Sequence, residues 1–323
     1  MTVNGDTTVT LANFEIAEPQ RPNNPDWVTN SLDTPLLATI TGTLTLVTQE
    51  QPLAPGDEDV LPDGLEYSFG LMPHLMTLNN LVFHQPFENR YAGGLGKVVE
   101  ITGNVDITWD TGEVHLDQTG MPGDGEDFLT SLALIDGAFD FRYPGANLGA
   151  LFPNLGRVGG DLTLNVGSGI QTSNILRGLT QVTGVLTLNV EYSGPLFPQL
   201  VQIGGLTLSP APPSPLAPIL GRIGTTPLQI GSSGITFEGS TNTRFPFAAT
   251  PNITATAPVT LTDNVDLCVC PITCFVEALQ AQGWSGTFTS SGNGTAPTCP
   301  SAPANGPPPV CPCGWPTSGA PPG

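Results

Sequence analysis

The chain is poor in positive charge: Lys97 is its only lysine, and lysine and arginine together number 8 against 28 acidic residues. The formal net charge is -20 at pH 7. A protein that binds nucleic acid needs cationic patches that neutralise phosphates, so this balance argues against nucleic acid as a partner. The same shortage of cations argues against binding to an anionic membrane surface. An acidic surface of this kind favours solubility.

Long apolar runs are also missing. No stretch approaches the run of about 18 apolar residues that a membrane helix needs, so the sequence predicts no membrane span. The opening MTVNGDTTVT has no basic segment followed by an apolar one, and it predicts no secretory signal peptide. Helix-forming residues are scarce, whereas Gly (39), Pro (34), Thr, Val and Leu are frequent. This composition suits strands and turns and predicts an all-β chain.

Cysteine is absent before residue 268. An even number of cysteines confined to a Pro/Gly-rich end predicts a disulfide-stapled C-terminal cap and an oxidising compartment. Zinc is the rival interpretation, but zinc sites usually carry C-x2-C pairs or a nearby histidine. Here the pairs are C-x-C, and His74, His84 and His115 are distant in sequence. The spacing leaves the connectivity open. The disulfide candidates are Cys268, Cys270, Cys274, Cys299, Cys311 and Cys313.

A repeated unit fills the middle of the chain. It consists of an apolar residue, a glycine step and a short alternating strand, as in VGGDLTLN (158–165) and VTGVLTLN (182–189). ITGTLTLV (40–47) looks like an earlier copy, and a Leu/Phe/Pro segment such as LFPNLGRV (151–158) precedes most copies. The apolar anchors of the series are Ile101, Ile135, Val158, Val182, Ile203 and Ile223.

The repeat has a direct physical interpretation. Successive side chains of a strand point to opposite faces, so Leu162 and Leu164 are expected inside and Thr163 outside. One unit cannot bury its apolar face alone, whereas stacked units form a parallel sheet with about 4.8 Å between neighbours. We expect the Leu/Phe/Pro segment to fill the opposite wall, and the corner glycines to adopt backbone angles that side chains forbid. The predicted outward column is Asp106, Asp140, Thr163, Thr187, Thr207 and Gln229.

Units of the FPNLGRVGGDLTL type resemble the receptor L-domain kind of right-handed β-helix, which occurs in growth-factor receptor ectodomains and in fungal and bacterial surface proteins. The similarity covers about residues 95–235, and more weakly 35–50. The segment CFVEALQAQGWSGTFTSSGNGTAPTC (274–299) resembles the cap that follows such repeats: Cys, short helix, Trp, strand, Cys. The resemblance implies a Cys274–Cys299 disulfide and a role in adhesion, cell-wall structure or recognition, with no shared catalytic motif.

Three segments follow from these patterns. Residues 1–94 are predicted to form an N-terminal cap and irregular coils with an acidic loop. Residues 95–266 are predicted to form the β-solenoid coils. Residues 267–323 are predicted to form a Cys/Pro-rich C-terminal cap and tail. The expected fold is therefore an all-β, parallel, L-domain-like right-handed β-helix with an irregular N-terminal cap and a disulfide-stapled C-terminal cap.

Candidate chemistry is sparse. The acidic loops 56–64 and 123–128 offer oxygen ligands for Ca²⁺, but neither has EF-hand spacing, so they are expected to be solvated turns and no cofactor is predicted. Asp106 and Asp140 share an outward column and are the candidates for a glycosidase pair, but ordinary exposed charge is the preferred interpretation. The threonines of that column are expected to form too short a ladder for ice binding. NIT at 252–254 and NGT at 293–295 match the N-glycosylation acceptor, so Asn252 and Asn293 are candidate sites.

The sequence as a whole favours a non-catalytic extracellular or surface-exposed protein that presents a rigid solenoid face for self-assembly or adhesion, as in a filament, sheath, wall or virion surface. The expected partners are other copies of the chain, or a surface protein or glycan. A glycan-binding module is the first alternative, and a polysaccharide-active β-helix enzyme is the second.

Overall fold

We analysed a computed structural model of the chain. The structure describes residues 2–12, 37–49, 74–85, 95–109, 129–143, 152–166, 176–190, 196–208, 223–224, 227–239, 245, 247, 250–265, 267 and 269–294. The elements are β1 (Thr2–Val3), β2 (Thr7–Ala12), β3 (Thr39–Gln49), β4 (Thr77–Gln85), β5 (Glu100–Ile101), β6 (Val105–Trp109), β7 (Leu134–Ile135), β8 (Phe139–Tyr143), β9 (Arg157–Val158), β10 (Leu162–Val166), β11 (Gln181–Val190), β12 (Gln202–Leu208), β13 (Gln229–Glu238), β14 (Asn252–Ile253), β15 (Val259–Thr262), α1 (Val269–Ala281) and β16 (Phe288–Ser291).

The strands stack as successive rungs of one 16-stranded parallel sheet. Each complete rung has a short first strand, a corner and a longer second strand, as in β9 and β10. In β3, β4, β11, β12 and β13 a single strand runs through the corner. The order of rungs along the stack follows the order of the sequence, from β1 and β2 to β16. The chain is therefore mostly β and coils as a parallel solenoid, as the repeat predicts.

Three apolar walls face one another inside the coil. The first strand of each rung contributes one buried residue, and the second strand contributes its alternate residues, such as Leu162 and Leu164. The first-strand column runs Ile101, Ile135, Val158, Val182, Ile203, Ile230 and Ile253, with Ile253 only partly buried. The anchor predicted at Ile223 is wrong: Ile223 bridges Leu196 and Phe247, and Ile230 occupies the place beside Ile203.

The Leu/Phe/Pro segments form the third wall, as expected, and each contains the same tight turn. The first residue of the turn has a positive φ, between 48° and 59°, and its carbonyl accepts a hydrogen bond from the N–H three residues on. A left-handed non-glycine residue costs about 1–2 kcal/mol. Each of these side chains is fully buried, and that burial stabilises by about 1.5–3 kcal/mol, which offsets the cost. The five residues are Leu95, Leu129, Phe152, Leu176 and Phe197.

The corner glycines have a different role from the expected one. Gly103, Gly137, Gly159 and Gly184 have no positive φ, so the expectation about special backbone angles is wrong for them. A Cβ at these positions would collide with atoms of the preceding rung; at Gly159 the colliding atoms are the backbone of Asp136. Neighbouring rungs approach so closely at the corner that only a residue without a side chain fits.

Polar side chains satisfy backbone groups at the same corners. The side-chain oxygen of one rung accepts a hydrogen bond from a backbone N–H of the next rung. Asp161 is one of these acceptors, so its carboxylate holds two rungs together rather than standing as a free surface charge. The acceptor–donor pairs are Asp6–Thr43 (2.8 Å), Asn80–Asn104 (2.7 Å), Asn104–Ala138 (2.9 Å) and Asp161–Val185 (2.7 Å).

The C-terminal end has a short helix, a tryptophan and a last strand, in the order that the sequence predicts. Trp284 is buried and its indole N–H donates to the carbonyl oxygen of Ala257 at 2.8 Å. Asn264 is fully buried, and its amide nitrogen donates to the Phe237 carbonyl (3.0 Å) and to Asn293 Oδ1 (2.9 Å). Among the described residues, no helix has the length and apolarity to cross a membrane.

Candidate functional site

One outward column runs the whole length of the second-strand sheet, and we call it the hydroxyl column. Its members are paired rung to rung, so neighbouring side chains are about 4.8 Å apart. Threonine occupies every described rung from Thr163 to Thr289. In order, the column is Thr8, Thr45, Val82, Asp106, Asp140, Thr163, Thr187, Thr207, Thr236, Thr260 and Thr289.

The structure places five of the six predicted column residues together, and Gln229 elsewhere. Gln229 pairs with Gln202 in the first-strand sheet, and Thr236 takes the position beside Thr207. The misplacement of Gln229 follows from the wrong anchor at Ile223, which shifts the whole rung. The threonine ladder is consequently longer than the sequence predicts. Its length alone therefore no longer argues against ice binding.

The charged part of the column lies at Asp106 and Asp140 on neighbouring rungs. Arg142 makes two contacts with Asp140, from Nε to Oδ1 at 3.3 Å and from Nη2 to Oδ2 at 2.9 Å. Thr108 donates to Asp106 Oδ1 at 3.1 Å. The hydrogen bond and charge of Asp140, with the charge of Asp106, raise the pKa of Arg142. The Arg142 and Asp140 side chains are 55% and 34% exposed, so water screens the pair and it adds little stability.

A second outward column lies beside the hydroxyl column and gives the face its width. It holds His84, Thr108, Arg142, Asn165 and Asn189 on successive rungs. Side chains in this column are polar and of varied length. The face therefore combines a regular row of mostly short hydroxyl groups with a less regular polar row, and its charge is concentrated around Arg142.

A row of amide side chains follows the first-strand sheet. Gln181, Gln202, Gln229 and Asn252 lie on successive rungs, each directly before the inward-facing apolar residue of its strand. Gln181 Nε2 donates to Gln202 Oε1 at 3.3 Å. The repeat, aligned on the anchor at Ile223, does not predict this amide column. Its signal is a Gln or Asn recurring before the apolar anchor, as in QV, QI, QI and NI, which becomes visible only with the correct anchor at Ile230.

The described residues include no group of three His, Cys, Asp or Glu side chains that could hold a metal ion. The acidic loops 56–64 and 123–128, which offer oxygen ligands for Ca²⁺, lie outside the described residues. Cys274 is disulfide-bonded. Cys270 lies in α1. The other candidates, Cys268, Cys299, Cys311 and Cys313, are outside the described residues.

The two glycosylation candidates differ in their surroundings. The Asn252 side chain is exposed on the amide column. Asn293 Nδ2, the atom that would carry a glycan, donates to the Leu261 carbonyl at 2.7 Å and to Ser290 Oγ at 2.9 Å. Modification of Asn293 would break these bonds in the folded protein, whereas modification of Asn252 would not.

We compared the chain with family models, curated proteins and solved structures, and none of them matches it. The L-domain likeness therefore rests on the sequence resemblance alone, while the parallel solenoid is established by the strand pairing of the chain itself.

Proposed function

We propose that the protein is a non-catalytic structural or recognition protein that acts outside the cell or on the surface of a cell or particle. It presents a rigid solenoid face for self-assembly or adhesion. The observation that carries this proposal is the hydroxyl column, in which threonine occupies every described rung from Thr163 to Thr289. A face that repeats about every 4.8 Å matches a partner that also repeats, such as a polymer or another copy of the chain.

The internal structure supports a display role because it fixes the spacing of the face. Each inner rung is hydrogen-bonded to the rung on either side, and its apolar residues are buried in one continuous core. Corner glycines and corner acceptors such as Asp161 fix the lateral position of each rung on the next. A surface held in this way loses little conformational entropy when it binds, which favours binding through many weak contacts.

The self-assembly version is tested by negative-stain microscopy and light scattering of the purified full chain. We expect ordered particles for the wild type and their loss in a Thr187→Lys/Thr207→Lys variant, because two long cations interrupt the row. Thr256→Lys, at an exposed corner outside the column, is the matched control. Melting temperatures establish that all three proteins are folded. A strict monomer at high concentration would rule out self-assembly and leave adhesion to a different partner.

The non-catalytic part of the proposal concerns Asp106 and Asp140. Glycosidases need two carboxyl groups, one of them free to protonate the leaving group or to attack the sugar. Here Asp106 accepts a hydrogen bond from Thr108, and Asp140 is paired with Arg142. We expect no turnover of polygalacturonate or alginate. Turnover that disappears in Asp106→Asn or Asp140→Asn would contradict this expectation and favour the enzyme alternative.

We also propose that the coil is right-handed and L-domain-like, with the C-terminal end closed by a Cys274–Cys299 disulfide. The recurring turn before each strand and the helix, buried Trp284 and last strand support this assignment. Peptide mapping under non-reducing conditions should recover the two cysteines in one linked pair. Labelling of intact cells or particles with an antibody tests the surface location, and labelling only after permeabilisation would refute it.

A further inference from the structure

A concave groove of about 300 Å³ lies on the first-strand sheet, on a different face from the hydroxyl column. Gln202, Gln229 and Asn252 line it from three successive rungs, together with Ile253 and Thr254. Its volume is at the lower end of the range of about 300–1,000 Å³ that small-molecule sites occupy. The groove is therefore large enough to receive a ligand of one or two sugar rings.

The groove forms where the corners change length. Only Gly204 and Gly205 separate Ile203 from Leu206, whereas residues 231–234 form the next corner and residues 254–258 the one after it. The pairing of β12 with β13 shifts its register at this corner. Gly231 and Thr254, the first residues of the two wider corners, both line the groove. The concave shape therefore results from the unequal lengths of the backbone corners in these rungs.

Two of the three amide groups in the groove are free to bind, while Gln202 Oε1 already accepts a hydrogen bond from Gln181. The Gln229 and Asn252 side chains are exposed, and within the described part of the chain they make no hydrogen bond. Each amide offers two N–H donors and one carbonyl acceptor. None of the described lining residues carries a charge, so the groove has no electrostatic preference for an ionic ligand. Ile253 also lines the groove, although its side chain belongs to the inward column and packs against the core.

We propose that this amide groove binds a neutral oligosaccharide whose chain runs along the stacking axis. Sugar hydroxyls donate and accept hydrogen bonds, as amides do. Amides repeated about every 4.8 Å along the axis offer successive sugar units equivalent partners. A charged ligand would lack a counter-ion here. The inference does not depend on assembly through the hydroxyl column.

Isothermal titration calorimetry of the full chain tests the proposal. The protein is made in a host that does not glycosylate Asn252, and it is titrated with cellohexaose, xylohexaose, mannohexaose and chitohexaose. We expect at least one to bind. A Gln229→Ala/Asn252→Ala variant should weaken that binding by about tenfold or more, because two hydrogen-bonding groups are lost. Gln280→Ala removes an exposed amide from α1 and should leave affinity unchanged.

Two results would overturn the proposal. The first is the absence of binding to all four hexasaccharides; if the double variant then also loses self-association, measured by sedimentation, the groove is a contact between copies. The second is binding that the double variant leaves intact, or that Gln280→Ala weakens as much. Equal melting temperatures for the variants and the wild type exclude misfolding as the cause.

Discussion

At the residue scale, the corners of the coil show how a small side chain can decide the fold. Gly159 approaches the backbone of Asp136 so closely that a methyl group has no room. At Asn264, by contrast, a side chain is needed. Its buried amide nitrogen donates hydrogen bonds to the Phe237 carbonyl and to Asn293 Oδ1, so that both of its N–H donors are satisfied. Both residues act on the contact between rungs, where a solenoid gains its stability.

Substituting Gly159 by alanine should therefore lower stability. We expect the free energy of unfolding to fall by about 1–3 kcal/mol, because the added Cβ forces neighbouring backbones apart. Gly156→Ala is the matched control, since its Cβ would meet only Ala133 O at 3.7 Å and Gly178 O at 4.0 Å. The control should be neutral or slightly stabilising, because alanine restricts the unfolded chain. Urea unfolding followed by circular dichroism measures both; equal effects would contradict the close-approach explanation.

At the element scale, α1 depends on packing rather than on its own termini. It has no acidic residue in its first turn and no basic residue in its last turn, so the helix dipole gives it no support from charge. Its buried face carries Phe275, whose ring stacks on Phe245 at 4.2 Å and on Phe247 at 5.9 Å between centroids. An isolated helix of this length is marginal in water, so these ring contacts and the disulfide bond of Cys274 hold it in place.

Phe275→Ala should release α1 without unfolding the coil. The substitution removes about 3–5 kcal/mol of packing, and in a solenoid each part depends mainly on its neighbours. Hydrogen exchange should accelerate across Val269–Ala281 while the amides of β6, β8 and β10 stay protected. Gln280→Ala, on the exposed side of α1, should change neither. Equal loss of protection in all rungs would show instead that the chain unfolds as a single unit.

At the scale of the whole molecule, charge opposes the proposed assembly. A net charge of -20 keeps copies of the chain apart at low ionic strength. The acidic residues are concentrated before residue 143, whereas the unbroken run of threonines in the hydroxyl column, from Thr163 to Thr289, lies after it. The face proposed for contact is thus carried by the less charged half of the sequence.

Self-assembly should consequently increase with salt. Raising ionic strength from about 0.01 M to about 0.15 M shortens the screening length from about 30 Å to about 8 Å, which weakens repulsion between copies. Light scattering at fixed protein concentration should rise over this range, and sucrose at equal osmolality, which does not screen charge, should raise it much less. Scattering that falls as salt is added would indicate attraction between opposite charges and would contradict contact through the threonine ladder.

The sequence by itself determined the parallel stacking and the inside–outside pattern. Strict alternation in units such as Leu162–Thr163–Leu164 permits only one face to be buried, and the repeated turn residues permit only one place for the third wall. The sequence also predicts the short helix before Trp284, because the helix, the tryptophan and the last strand follow one another directly along the chain. These features depend on neighbours in the chain.

Only the tertiary structure decided the register between rungs of unequal length. Ile–Gly occurs at both 223 and 230, and nothing local distinguishes the two. The hydrogen bonds from β12 to β13 select Ile230, because that choice buries Ile235 and Phe237 and leaves Thr236 outside. The amide column, its groove and the full length of the threonine ladder all follow from this choice, and each joins residues that lie twenty or more positions apart in the chain.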